Sequence, residues 1–494
     1  MRVTEAAQAA PMATVEPRPG DKRALSKVEL LRISLYWLAI SGLWAGLTFT
    51  LLPLISQQLI CGTGVDATTC ATMPIQQLSP AVGGIRLRPE VALGFVLLVG
   101  SAVAFVVQPV AAALSDYTRS RLGRRRPWIL VGTSLDVVFL ALLTLLVRDP
   151  GSQAFVGMAV LIVLLQFSSN LAQGPFQGYV PDLVPDEQVG LASGLVGTMT
   201  VSGQLLGAGI AGVAIALGEP WLGIIGLAVL EVSTMLPAVF GVADRPVEMP
   251  KRAGSMIAGV RGAAAEAWGH RSFVWLLVSR FFILMTVGSV TALAFFFLTR
   301  SLVYTSEEAA TAIVILLAVT VLTAALVSVI AGPISDRVGR RQMIWLSCAI
   351  GAVGLALLAT TTAQPELVIG GARFPLGGLA AVPIGVGAGM FVSVDWALMV
   401  DIIPKVTAGR YMGISNVVTA TSGAIAGAIG GVVIATTTSL TGDAALGPRV
   451  ALGLAVSFYG LGALALTRVD TRPFEVQMAE RRAKGALAAA TPTT

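Results

Sequence analysis

The chain is 494 residues long, 55% hydrophobic and only 12% charged, with a formal net charge of +6. Soluble domains average about 25% charged residues, so a string of soluble domains is excluded. A mean hydropathy of +0.82 asks for an apolar solvent around most of the chain, and the cation excess is sorted between loops rather than gathered into a nucleic-acid surface.

Residues 1–30 hold Glu5, Glu16, Asp21 and Glu29 before any apolar run, so they are not a secretory signal and read as a cytoplasmic tail. Twelve apolar runs follow, at about 32–55, 91–114, 128–147, 154–178, 190–217, 221–242, 273–298, 309–333, 343–362, 376–401, 411–437 and 450–467. A hydrocarbon core of about 30 Å takes about 20 apolar residues as helix. No run alternates with period 2, which leaves helices as the spanning form. The expected fold class is all-α integral membrane, with twelve transmembrane helices in two six-helix halves. The halves are placed at 31–242 and 273–468, with a polar cytoplasmic connector at 243–272 that can carry a surface helix, and a tail at 469–494.

The loop after the first run holds Cys61 and Cys70. Their spacing permits a disulfide in an oxidising compartment and equally permits two thiols. Cys348, inside the ninth run, reads as a small buried apolar residue.

Between the second and third runs lies "SDYTRSRLGRRRPWIL", with five arginines from Arg119 to Arg126. A shorter copy, "SDRVGRR", returns at Ser335 to Arg341. Of the 33 Lys and Arg, 26 fall on this side of the alternating loops and tails, six on the other, and Arg280 within a span. That asymmetry is the positive-inside rule, and it places both termini in the cytoplasm.

The halves repeat further on. Asp182, Pro185 and Gly194 follow the first motif, and Asp401, Pro404 and Gly413 follow the second, with Pro three and Gly twelve residues after each Asp. Parallel six-helix repeats are a transporter architecture. Asp116 and Asp336 fall at the inner ends of the second and eighth helices, with Gly123, Arg124 and Arg125, or Gly339, Arg340 and Arg341, on the following turn. A carboxylate there makes charge-assisted hydrogen bonds to guanidinium groups. Where the two halves touch, such a latch can hold the inner gate shut. A topology anchor alone would not need the Asp and Gly spacing.

The paired Asp-x-x-Gly-Arg-Arg loops resemble those of the major facilitator superfamily, over residues 30–470. The first copy is similar to the loop of sucrose transporters and the wider glycoside–pentoside–hexuronide cation symporters, matching at Ser115, Asp116, Ser120, Gly123, Arg124, Arg125, Arg126 and Pro127. The fourth helix adds "NLAQGPFQGYVPDL", where Asn170, Gln173, Gly174, Pro175, Asp182 and Leu183 fit the sucrose-carrier pattern. Two positions depart from it. The arginine after Gly-Pro is Gln177, and the acidic residue four before the Asn is Gln166. The resemblance implies a secondary carrier for a sugar, coupled to a proton and working in a bacterial cytoplasmic membrane as a monomer, without the usual proton site.

Four ionisable groups fall within spans: Asp136, Glu231, Arg280 and Asp395. Each costs roughly 2.5–3.5 kcal/mol to insert, so each is a coupling candidate. Arg280 and Asp395 lie at similar depth, about 10 Å from the inner ends of the seventh and tenth helices. They are expected to pair, so that protonating Asp395 would release Arg280. A static ion pair is the plain alternative. Asp136 and Glu231 are expected within the first bundle, in structural roles.

For cargo, the candidates are Trp37, Trp44, Gln166, Asn170, Gln173, Gln177, Trp396 and Asn416, with Tyr36, Thr48, Thr50 and Gln204 nearby. Amides and indoles suit a neutral polyol through hydrogen bonds and ring stacking. Each can equally be interhelical glue. No metal-ligand cluster and no nucleophile–base pair is evident, so neither metal, cofactor nor enzyme activity is expected. The expected partners are a small-molecule substrate, a proton and the lipid bilayer, with no nucleic acid. Two rivals stand beside a sugar carrier: an exporter of hydrophobic compounds, favoured by a wide apolar cavity, and a membrane sensor that keeps the fold without transport.

Overall fold

The computed structural model describes residues 23–79, 84–116, 118, 120–151, 153–241, 269–364, 366–369, 372–403 and 408–472. The expected surface helix of the connector, the tails before residue 23 and after 472, and the side chains of Asp116 and Asn416 lie outside the described residues.

Among the described residues, twelve helices are long and apolar enough to cross a membrane. The first half has α1 (Lys27–Cys61), α2 (Pro89–Ser115), α3 (Arg126–Arg148), α4 (Ala154–Gln177), α5 (Leu191–Ala216) and α6 (Pro220–Phe240). The second has α7 (Arg271–Ser301), α8 (Ser306–Val338), α9 (Arg340–Thr360), α10 (Gly377–Ile402), α11 (Val417–Thr441) and α12 (Leu446–Leu466). Their starts follow from local chemistry. Ser26 with Glu29, and Thr305 with Glu308, form capping boxes that satisfy the first orphan N–H groups of α1 and α8. His270, expected in the connector, caps α7 by accepting from the Phe273 N–H.

In the first half α1 packs on α5 and α6, α4 on α2 and α3, and α3 on α6. Each pairing recurs six helices later: α7 on α11 and α12, α10 on α8 and α9, α9 on α12. Small residues set the spacing. A Cβ on Gly42 of α1 would lie 2.9 Å from the Gly203 carbonyl oxygen of α5, so the backbones are in direct contact. The first helix of each half also contains a five-residue π-helical segment, Leu47–Leu51 in α1 and Phe297–Ser301 in α7. Such segments concentrate at functional sites.

One end of the bundle carries the arginine motifs and the other carries the Cys61–Cys70 bond, whose Cα atoms are 5.6 Å apart. At the disulfide end Asp66 caps the short helix Ala67–Thr72. Hydrogen bonds from the Thr68 and Thr69 hydroxyls and N–H groups hold its carboxyl well below the usual carboxylate range. The same face carries a β-hairpin between α9 and α10, with β1 (Glu366–Ile369) antiparallel to β2 (Ala372–Pro375). The expectation of an all-helical chain misses it. Its sequence signal is the Gly370-Gly371 pair between two short strand-forming runs.

The halves meet near the disulfide end, through α2 against α11 and α5 against α8. A Cβ on Gly94 would meet the Ala428 Cα at 2.9 Å, so α2 and α11 touch backbone to backbone. Farther toward the arginine end α8 stays open to its surroundings: Leu326, Val329 and Ile330 are all exposed.

Candidate functional site

Between the halves is a cavity of about 540 Å³. It is lined from α1, α4 and α5 on one side and from α7 to α10 and α12 on the other. Its polar groups come from Ser41, Trp44 and Thr48 of α1, Gln173 of α4 and Gln204 of α5. The second half adds the Thr286, Thr291, Thr320 and Tyr459 hydroxyls. The remaining wall is aliphatic and aromatic, including Phe49, Phe297 and Leu298. Among the described residues no Asp, Glu, Lys, Arg or His lines it.

Of the expected cargo residues, Trp44 and Gln173 reach this wall. Trp37 packs on Phe176 instead, ring centroids 5.9 Å apart. Asn170 donates to the Gln166 carbonyl (2.8 Å) and to its side-chain oxygen (3.1 Å). Gln166 packs on Gly100, so this pair joins α4 to α2. Gln177 is exposed at the arginine end of α4, and Trp396 is 49% exposed on α10. Thr48 and Gln204, expected near the cargo candidates, line it too, whereas the Ser41, Thr286, Thr291, Thr320 and Tyr459 hydroxyls were missed, because they sit singly in apolar runs. Their one usable signal is position: Ser41 shares one face of α1 with Trp44 and Thr48.

The arginine motifs close within each half. Arg124 Nη2 and Arg125 Nε both reach Asp182 Oδ2 at 2.5 Å. Arg125 Nη1 donates to Ser115 Oγ (3.3 Å) and to the Pro175 carbonyl (3.2 Å). Gly178 leaves room for this guanidinium, since a Cβ there would overlap it. In the second half Arg340 bonds Asp401 (3.1 Å), Asp336 (2.8 Å) and Ser335 (2.6 Å). Arg341 turns away, donating to the Val469 carbonyl and lying over Trp345. Among the described residues these bonds run within each half, and a latch across the halves stays an expectation. The bonds tie the α2–α3 loop to the segment after α4, and α8 and α9 to α10. The copies also differ: α3 starts at Arg126, three after Gly123, whereas α9 starts at Arg340, directly after Gly339, and the arginine that bonds both the Asp and the Ser is Arg125, two after its glycine, against Arg340, one after. The two glycines share a left-handed backbone, φ 101° and 108°, which explains why the motif fixes glycine.

Three buried charge sites remain. Arg280 of α7 and Asp395 of α10 form an ion pair, and Arg280 Nη2 also donates to Thr419 Oγ1 at 3.1 Å. The expected partners therefore meet, about a turn and a half from cavity-lining Thr286. Glu90 of α2 and Arg300 of α7, neither anticipated, pair at 2.8 Å. Arg300 is fully buried and lies over Phe296, and this pair joins one half to the other at the disulfide end. Nearby Arg88 donates to the Cys70 and Met73 carbonyls, and burial pushes its guanidinium down from the ordinary arginine range. The third site is Asp136 with Glu231, both essentially without exposure.

A model of the Major Facilitator Superfamily matches residues 38–428. The chain belongs to that superfamily. Among curated proteins it is 28% identical over 134 residues to the "Membrane-associated transporter protein" of Mus musculus, covering 25% of each chain. It is 32% identical over 152 residues to "Sucrose transport protein SUT4" of Oryza sativa subsp. indica, covering 27% of this chain and 25% of the relative. The matched segments thus span a quarter of these relatives. Among solved structures the D-xylose-proton symporter superposes with a TM-score of 0.63 at 15% identity, covering 90% of this chain and 98% of the other. An inward-facing bacterial homologue of the lysosomal transporter Spinster gives 0.61 at 12%, covering 90% and 98%. These structures establish the fold, and the chain is a multi-pass membrane protein of the superfamily.

Proposed function

We propose that this transporter moves an uncharged polar solute, a sugar or glycoside, by alternating access, with uptake driven by protons. The observation that carries the reading is the cavity wall. Amide, indole and hydroxyl groups are distributed over both halves, and no charged side chain is among them. Such a wall can hydrogen-bond a polyol and stack against its apolar face, and it offers nothing to neutralise an ionic cargo. The likeness of one segment to a sucrose transport protein supports the same class.

By the positive-inside rule the arginine face is cytoplasmic and both termini lie there, and the preponderance of Arg over Lys with abundant Ala and Gly supports a bacterial cytoplasmic membrane. The conformation is then closed outside and accessible from within. Opening outward must separate Glu90 from Arg300. That pair leaves Glu90 Oε1 and Arg300 Nη1 without a partner, so it is a thinly satisfied contact suited to breaking. The arginine motifs move with their own halves and keep α2 joined to α4, and α8 to α10, as the halves rock.

A second reading is favoured by the extent of aliphatic wall: efflux of apolar small molecules. Counterflow in proteoliposomes separates the two. Vesicles loaded with one unlabelled saccharide and offered the labelled form should overshoot for one member of a panel from glucose to maltose and sucrose. If no saccharide overshoots and an apolar dye is extruded, the efflux reading replaces this one.

A further inference from the structure

The first half buries two acids that the carrier reading leaves idle. Asp136 on α3 and Glu231 on α6 are neighbouring buried acids inside the bundle, where the two helices pack. Each neighbouring helix supplies hydroxyls. From α4, Ser168 donates to Asp136, and Ser169 lies beside it. From α1, Tyr36 donates to Glu231 Oε1 at 3.3 Å and shares a 2.6 Å bond with Thr133 of α3. The titratable groups facing the site are therefore Asp136, Glu231 and Tyr36. No lysine, arginine or histidine is among their described partners. Asp136 Oδ2 and Glu231 Oε2 have no protein donor.

Two ionised neighbouring carboxylates in an apolar bundle repel each other and lack solvent. One proton resolves both problems. The protonated carboxyl donates to the other, and the single remaining charge is met by the hydroxyls. The site therefore has room for one exchangeable proton. It also has a line to the cargo cavity. Cavity-lining Trp44 donates from Nε1 to Ser169 Oγ at 3.4 Å, and Ser169 lies beside Asp136, next to Ser168, which donates to it. Asp395 is a different case: a proton arriving there would have to displace Arg280.

We propose that Asp136 and Glu231 together form the binding site for the coupled proton, and that the Trp44–Ser169 contact reports cargo to it. This rests on the proton-driven carrier reading for its purpose, while the site can be tested without any cargo. Difference infrared spectroscopy of the full-length protein in vesicles, in H₂O and D₂O, reads the C=O stretch of protonated carboxyl groups against pH. The wild type should show a band that disappears as the pH rises. Glu231→Gln and Asp136→Asn should each abolish that band, and Asp395→Asn should retain it. Trp44→Phe should shift its midpoint. A wild-type spectrum with no titrating band, or one that survives both Glu231→Gln and Asp136→Asn, overturns the proposal even if neither variant folds well enough for transport. In proteoliposomes that perform counterflow, Glu231→Gln should lower the ratio of pH-driven accumulation to exchange at least tenfold, and an unchanged ratio also overturns it. Absence of counterflow with every saccharide, together with an intact titrating band, would remove the sugar reading and leave the proton site standing.

Discussion

The two halves share one plan of helix contacts, and yet they bury charge differently. In the first, Asp136 and Glu231 face each other and a ring of hydroxyls. In the second, Asp395 faces Arg280. The packing repeats because small residues at the same helix crossings repeat. Charge does not, because it depends on which single side chain fills one layer of a bundle. A buried acid with a guanidinium against it is locked by that partner, whereas a buried acid against another acid depends on a proton. The repeated scaffold thus leaves one half free to specialise in rigidity and the other in titration.

The contrast breaks most visibly on removal of one ionic partner. Asp395→Ala leaves Arg280 buried and uncompensated, and should cost about 3–5 kcal/mol in thermal unfolding of the purified protein. Arg280→Met combined with Asp395→Leu should recover most of that loss. If the single variant costs nothing, Arg280 is solvated and the two halves are not distinct in this respect.

A gentler probe is Asp136→Asn, which keeps the shape and replaces one member of a pair that shares a proton. It should cost only about 1 kcal/mol, the net value of an ordinary hydrogen bond. A loss as large as that of Asp395→Ala would mean that a hidden cation supports the first site.

The arginine motifs sharpen the comparison further. Arg340→Ala removes the hydrogen bonds to Asp401, Asp336 and Ser335 together. Arg125→Ala leaves Arg124 on Asp182. Arg125→Ala also removes the buried bonds to Ser115 and the Pro175 carbonyl, so the first-half variant should be the less stable by about 1 kcal/mol, because the Arg340 partners Asp336 and Asp401 are partly exposed. Equal losses would show that those buried bonds contribute no more than the exposed ones. At the seam between halves, Glu90→Gln should raise labelling of a Thr291→Cys cysteine from the disulfide face about tenfold, or ~1.4 kcal/mol. Unchanged labelling would make Glu90–Arg300 a passive contact.

Much of this was legible in the sequence. Hydropathy marks twelve spans because a bilayer imposes length and composition on any helix that crosses it. The two Asp-x-x-Gly-Arg-Arg copies announce the repeat because a left-handed glycine and a charge cluster tolerate few substitutes. Arg280 and Asp395 could be matched by depth alone. What stayed hidden depends on azimuth. Glu90 looks like an ordinary acid in a first helical turn, where it complements the helix dipole. Nothing in one dimension turns it toward Arg300. Asp136 and Glu231 are 95 residues apart, and only the α3–α6 crossing makes them neighbours. The one-residue offset between Arg125 and Arg340 follows from where α3 and α9 begin, which two near-identical motifs conceal.

The charge-free cavity wall has an electrical consequence. If a neutral cargo travels with a single proton, every turnover carries one elementary charge across the bilayer. A membrane potential of about 100 mV then contributes about 2.3 kcal/mol per cycle, enough on its own for roughly fortyfold accumulation. Current and cargo should rise together in a fixed one-to-one ratio, so a voltmeter could count the molecules this protein moves.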